Sequence, residues 1–347
     1  MTVFVGLDGF VDTIIYCVDQ RTGPSSFHRI SDISHFAKRV ERAAGKSANI
    51  ECVVQNKALG GNAPLLAQTL IHLGLPVELV GCCGYPSLCK EFAPLNVNKA
   101  TVHSFAPPGE TEALEFTDGK LLLGKMGEVG TLSLEEAFSR LPNNLIPELL
   151  LRSSVIATVN WTMMPLVGQF WHWMLEHTEL LQHKPIIFAD LADPAKRTKS
   201  DLKKDLIALT QLNSITPVVL GLNRSEAEQI AHLLGIDTAF SLVQLAKSLV
   251  SSLDLNSVII HTRQEVAGAR QEGAKICLEL LSVPPFSHPK RVTGAGDNFN
   301  AGVIFGLIEN KSLADLLRYA VATSGIWIRT GNPAQKGSLN SFLDKEF

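Results

Sequence analysis

"RVTGAGDNFNAGV", residues 291–303, closes a polar stretch and opens an apolar helical one. A helix start presents unpaired N–H groups and the positive end of the backbone dipole. Small residues there let those groups reach an anion directly, so Gly294, Ala295 and Gly296 read as a phosphate-sized hole. Asp297, in the first turn beside it, could accept the proton of an alcohol attacking phosphorus. Such a base acts mainly late in a loose transition state and by orienting the oxygen, so placement matters more than basicity. The same residues also fit a plain glycine turn whose aspartate favours the dipole, and the stretch alone does not separate the two readings.

The rest of the chain narrows the choice. With 347 residues, 46% hydrophobic and 19% charged, it can bury a sizeable core. Thirty-one Lys and Arg against 34 Asp and Glu leave a net charge of −3, too little positive field for nucleic acid or an anionic membrane. A small-molecule partner is expected. Met1 runs straight into strand-like "TVFVGL" with no signal-peptide pattern, and no apolar run is long enough to span a bilayer, so a cytoplasmic protein is expected. Cys17, Cys52, Cys82, Cys83, Cys89 and Cys277 show no paired metal spacing and read as reduced thiols packed like small apolar residues.

Short apolar runs alternate with amphipathic segments, the pattern of an α/β protein around a largely parallel sheet. The expected core strands are residues 2–7, 77–82, 154–159, 185–191, 216–222 and 257–262. Two regions break the rhythm: a helix near 31–44 followed by alternating "NIECVVQ", and residues 100–125, whose Asp118-Gly119 marks a hairpin turn. They predict a small β lid, about residues 10–56 and 100–125, standing off the main sheet within one domain spanning 1–347.

Three further stretches could carry chemistry. "LGGNAP" (59–64) places Gly60 and Gly61 before a helix opened by Asn62, so a polyol could lie against bare backbone; an ordinary loop with a capping asparagine is the other reading. "GLDGFVDTI" sets Asp8 and Asp12 at the carboxyl end of the first strand, where open α/β sheets hold ligands and an acidic pair could clamp two hydroxyls; turn formation is the other reading, above all for Asp8 before Gly9. "GLNRSEAEQI" puts Asn223 and Glu226 three apart at a strand-to-helix junction, suited to the water shell of a Mg²⁺ on a nucleotide or, alternatively, to a capping box. "AAGKS" (43–47) lacks the first glycine of a phosphate loop, having Val40, and no strand precedes it. His172, His177 and His183 share an amphipathic segment without metal-ligand spacing.

The order glycine-pair-Asn, lid hairpin, Asn-x-x-Glu and late "TGAGDNFNAG" (293–302) resembles the ribokinase-like (PfkB) carbohydrate kinase family over nearly the whole chain. The resemblance implies a three-layer αβα fold with a β lid, and transfer of the γ-phosphate of ATP, with Mg²⁺, to a hydroxymethyl group of a sugar or nucleoside. It implies Asp297 as catalytic base and Gly294 to Gly296 as anion hole. Asn223 and Glu226 become Mg-nucleotide residues, and Thr262, Arg263 and Thr293 nucleotide contacts. Asp8, Asp12, Gly60, Gly61 and Asn62 become the substrate site.

Departures from the family pattern are Leu65, where relatives often have asparagine, Arg291, where an aspartate helping to hold potassium is usual, and Gln264 and Ala267 in place of nucleotide-loop glycines. Arg291 brings its own positive charge, which predicts activity independent of K⁺. The altered nucleotide loop leaves a catalytically silent binding relative as the alternative. The long 16–56 segment leaves room for a dimer contact through the lid.

Overall fold

The computed structural model describes residues 1–286 and 289–347. Its strands, in chain order, are β1 (Thr2–Leu7), β2 (Phe10–Arg21), β3 (Phe27–Arg29), β4 (Cys52–Gly60), β5 (Val77–Gly81), β6 (Ala100–Ser104) and β7 (Gly109–Glu115). They continue with β8 (Lys120–Lys125), β9 (Ser153–Thr158), β10 (Ile186–Asp190), β11 (Val218–Asn223), β12 (Ser257–His261), β13 (Glu265–Glu272) and β14 (Lys275–Ser282). Nine of these form one sheet in the order β14-β13-β12-β11-β10-β9-β1-β5-β6. From β12 to β6 all neighbours are parallel; β13 and β14 add an antiparallel edge.

Both faces of this sheet are covered, which is why its strands read as near-continuous apolar runs. One face packs on helices that contribute Leu149, Phe170, Leu209 and Leu249, and the other on helices that contribute Leu66, Ile304 and Leu317. The fold is therefore the expected three-layer α/β arrangement. All six expected core strands are present, with ends shifted by at most two residues.

The lid is a smaller sheet in which β2 pairs with β3, β4 and β7, and β7 with β8. Its outer face has its own core of Ile15, Cys17, Ile30, Leu114 and Phe116, closed by Phe36 of the helix Ile33–Glu41. The segment read from sequence as one β piece, 100–125, divides in two. Residues 100–104 pair in parallel with β5 at the edge of the main sheet, and the lid portion starts at Gly109. "AAGKS" lies in an exposed turn after the lid helix, with no strand leading into it.

Candidate active site

The carboxyl ends of β1, β9, β10 and β11 deliver polar side chains to one edge of the sheet, as open parallel sheets do at a ligand site. Asp8 follows β1 and has no exposed surface. Its carboxylate accepts the N–H groups of Asn62 and Ala63 at 2.9 and 2.7 Å and Asn160 Nδ2 at 2.6 Å. It thereby fixes the start of the helix Asn62–His72, whose preceding Gly61 has φ 89°. Gly60 serves a different need: a Cβ there would lie 2.5 Å from the Asp12 carboxylate.

From the other side comes the helix Ala295–Ile308, entered through Gly294 at φ 86°. Ala295 N–H donates to the Val292 carbonyl and Asn298 N–H to that of Gly294, so Gly294 and Gly296 N–H have no backbone acceptor among the described residues. A Cβ at Gly296 would meet nothing within 4 Å, so open space lies over this helix end. Asn298 locks the turn: its Nδ2 donates to the Gly294 carbonyl at 2.9 Å, and its Oδ1 accepts from Thr69 of the opposing helix at 2.6 Å. Trp327 Nε1 donates to the Thr293 carbonyl, and Leu65 packs on Trp327 under the same turn.

Asp297 is buried and hydrogen-bonded to Asn62. Burial pushes its carboxyl well above the usual range, and Asp190 and Asp8 push it further. Asp190, at the end of β10, accepts Asn300 Nδ2 at 2.8 Å and is raised to about 7 by burial and by Glu226. Glu226 is itself buried, with one oxygen accepting Asn223 N–H and the other Asp193 N–H. Four acids thus crowd one water-poor corner, an arrangement that a cation would relieve.

Two clefts open at this edge of the sheet. One, about 450 Å³, is lined by Asn223, His261, Thr262, Arg263 and apolar Val283, Phe299, Val321 and Phe342, and reaches Ala295 and Gly296. The other, also about 450 Å³, is walled by lid residues Asp12, Thr111 and Leu122 together with Asn62, Asn160, Asp193, Lys196 and Glu226. The first suits a planar base and the second a polyhydroxyl ligand. A larger cleft of about 610 Å³, near His172 and Asp205, collects none of the strand-end residues.

The family described as prokaryotic ketohexokinase matches residues 1–346. The chain belongs to that family. It is a sugar kinase, a phosphotransferase with an alcohol acceptor and ATP as donor. A ketohexokinase of Haloferax volcanii is 26% identical over 353 residues, covering 98% of this chain and 90% of the relative. Arabidopsis thaliana ribokinase, solved with ribose and ATP, superposes with TM-score 0.66 at 16% identity over 100% and 98% of the two chains. Escherichia coli phosphofructokinase-2, solved with substrates and products, gives 0.62 at 14% identity over 99% and 98%. These neighbours share the ribokinase-like fold.

Within this ketohexokinase-family site, the residues singled out from sequence are gathered unequally. Gly296 lines the first cleft and Asp12, Gly61 and Asn62 the second, while Gly294 and buried Asp297, at the same helix start, line neither. Asp8 does not line the cleft under the lid, and its oxygens are taken up by the adjoining helix and Asn160. Asn223 and Glu226 do form a capping box, yet Glu226 also lines the cleft under the lid. The Thr262 hydroxyl bonds within its own turn, donating to Glu265 O and accepting Gln264 N–H. Thr293 is exposed. Asn160, Asp190 and Lys196 were not anticipated, although Asn160 and Asp190 stand where predicted strands end, the same positional signal that singled out Asp8.

Among the described residues, no three His, Cys, Asp or Glu side chains converge as a metal-ligand set. A Mg²⁺ that keeps most of its waters and is held by phosphate oxygens and one or two carboxylates fits Glu226 and its acidic neighbours.

The raised Asp190 has a consequence for stability. Its folded value, about 7, exceeds the ordinary carboxylate value, so the stability it contributes is present in acid and lost as pH rises from about 4 through about 7. Buried His261, lowered to about 4 by burial, runs the other way: its contribution is lost as pH falls below its ordinary value near 6.5. Melting temperatures of wild type and Asp190→Asn, compared without divalent ions from pH 4 to 8, separate the two. Wild type should lose stability relative to the variant across this range, and parallel curves would disprove the assignment.

Proposed function

We propose that the protein transfers the γ-phosphate of Mg-ATP to a hydroxymethyl group of a ketohexose. What supports this most is that the helix start borders an apolar cleft at Ala295 and Gly296, while Asn62, beside Asp297, lines a second cleft of mixed polar residues under the lid. The names of the matching family and of the Haloferax relative favour a ketohexose over ribose or a nucleoside.

In this reading the base of ATP lies in the apolar cleft and its terminal phosphate rests on Gly294 and Gly296 N–H. Asp12, Asn62 and Asn160 orient the sugar so that the acceptor hydroxyl stands between Asp297 and phosphorus. Asp297 takes the proton as the new O–P bond forms and the bond to the leaving ADP oxygen breaks. Glu226, with Asn223 holding its helix end, retains the hydrated Mg²⁺, which supplies positive charge to the phosphates. Asp8 is a positioning residue that holds Asn62 and Asn160. Exclusion of water by the lid favours the sugar over hydrolysis. The protein is proposed to work in the cytoplasm; no helix among the described residues is long and apolar enough to cross a membrane. Pairing through the lid sheet as a homodimer belongs to the same proposal.

Production of ADP across a panel of ketohexoses, aldoses, ribose and nucleosides tests the reading. A ketohexose should give the highest kcat/KM; a ribose or nucleoside preference would redirect it, and a melting shift without turnover would favour the silent binder. The Arg291 guanidinium lies over Trp327, 4.3 Å from the ring centroid, and its charge acts on Asp12. Rates in sodium and potassium buffers should therefore be equal, and strong potassium activation would remove Arg291 from this role.

A further inference from the structure

Thirty-odd positions apart in sequence, Cys17 and Cys52 carry no motif, yet the lid brings them face to face. The register of β2 against β4 makes them direct partners. The Cys17 carbonyl accepts Ile30 N–H at 2.8 Å on the side away from β4, while Val18 N–H donates to Glu51 O at 2.9 Å. Cys17 and Cys52 thus occupy a site of the antiparallel ladder without mutual backbone bonds, where opposed Cα atoms approach to about 4.5 Å. A disulfide needs Cα atoms roughly 4.4–6.8 Å apart, so the backbone already has the required spacing.

The two thiols differ in environment. Cys17 is buried in the lid core, and Cys52 is exposed. Burial and the neighbouring Cys52 sulfur push the Cys17 thiol up to about 11, so Cys52 is the sulfur that meets reagents first. The Arg39 guanidinium, which donates to Val18 O at 3.2 Å, puts positive charge near Cys17 and partly offsets the rise.

We propose that Cys17 and Cys52 are a reversible thiol–disulfide site that staples β2 to β4. With a low-molecular-weight disulfide as oxidant, Cys52 thiolate attacks one of its sulfurs, forms a mixed disulfide and releases one thiolate. Cys17, giving up its proton, then attacks Cys52 Sγ; the second small thiolate leaves and the Cys17–Cys52 bond remains. The protein loses two electrons and two protons, and the small disulfide becomes two thiols. The bond closes a loop over residues 18–51, which holds β3 and the lid helix, and so removes freedom from the opened lid.

The test treats the full-length protein with oxidised glutathione and reads mass, peptide map and protease sensitivity. The expected product weighs two hydrogens less, links the peptides of Cys17 and Cys52, resists cleavage within 18–51 and reverts with dithiothreitol. Cys52→Ser, a change at an exposed site, should abolish the link and the protection. A stable glutathione adduct on Cys52, a Cys52–Cys52 link between two molecules, or no reaction under conditions that oxidise a control dithiol would each overturn the proposal.

Discussion

Asp297→Asn should lower kcat by about a thousandfold while the protein still binds ATP and sugar, as general-base residues typically contribute 10²–10⁴. The substitution keeps shape and polarity in a buried position and retains a partner for Asn62, so the fold has little reason to respond. Under the proposed role it removes the group that receives the hydroxyl proton. It also removes one of four crowded acids, so the metal-free variant should melt no lower than wild type at neutral pH. Steady-state kinetics with a ketohexose and thermal shifts with each ligand check both halves. A variant within tenfold of the native rate would take Asp297 out of the chemistry.

Gly302→Val should be the most damaging change to the fold of that helix. A Cβ at Gly302 would stand 2.3 Å from Thr323 Oγ1 and 2.5 Å from both Ala320 Cα and the Tyr319 carbonyl. Two of these three atoms are backbone of the helix Leu313–Thr330, so no side-chain rotation relieves the clash and the helices must separate. Overpacking of this kind costs about 3 kcal/mol. A fall in melting temperature of roughly 4 °C is the corresponding signal. Because the displaced helix begins at Gly294–Gly296, proposed above to hold the terminal phosphate, kcat should fall as well. Gly337→Ala, in a helix where an added Cβ meets nothing within 4 Å, is the control and should be neutral or slightly stabilising. Equal melting curves for the two variants would show that the close helix contact is dispensable.

Gly302 also illustrates how the sequence could be read. The motif "TGAGDNFNAG" was legible as a whole because glycines, an acid and an apolar helix coincide within a few residues. Its parts have unlike duties: Gly294 provides a left-handed turn, Gly296 open space, and Gly302 close helix packing. The parallel strands were equally legible, since burial on both faces leaves uninterrupted apolar runs. Partnerships between distant segments were not. The bond from Asp8 to the helix at Asn62, the placement of residues 100–104 at the sheet edge, the meeting of Asp190 with Asn300, and the Cys17–Cys52 register all depend on which strands become neighbours, and local pattern does not encode that. Leu65 and Arg291, departures in the sequence, acquire a common setting once Trp327 is found between the glycine turn and the guanidinium.

The way the lid is rooted limits how it can move. β2 starts only two residues after β1, and a Cβ at the intervening Gly9 would fall 2.1 Å from the Cys82 carbonyl, so this junction is wedged against its neighbour. The first slack along the strand is the register shift between Ile14 and Ile15, beyond Asp12. Under the proposed role, the flap therefore bends like a leaf spring clamped at its base: Asp12 stays with the core while the tip travels, and sugar enters past a flexing rim instead of a swinging door.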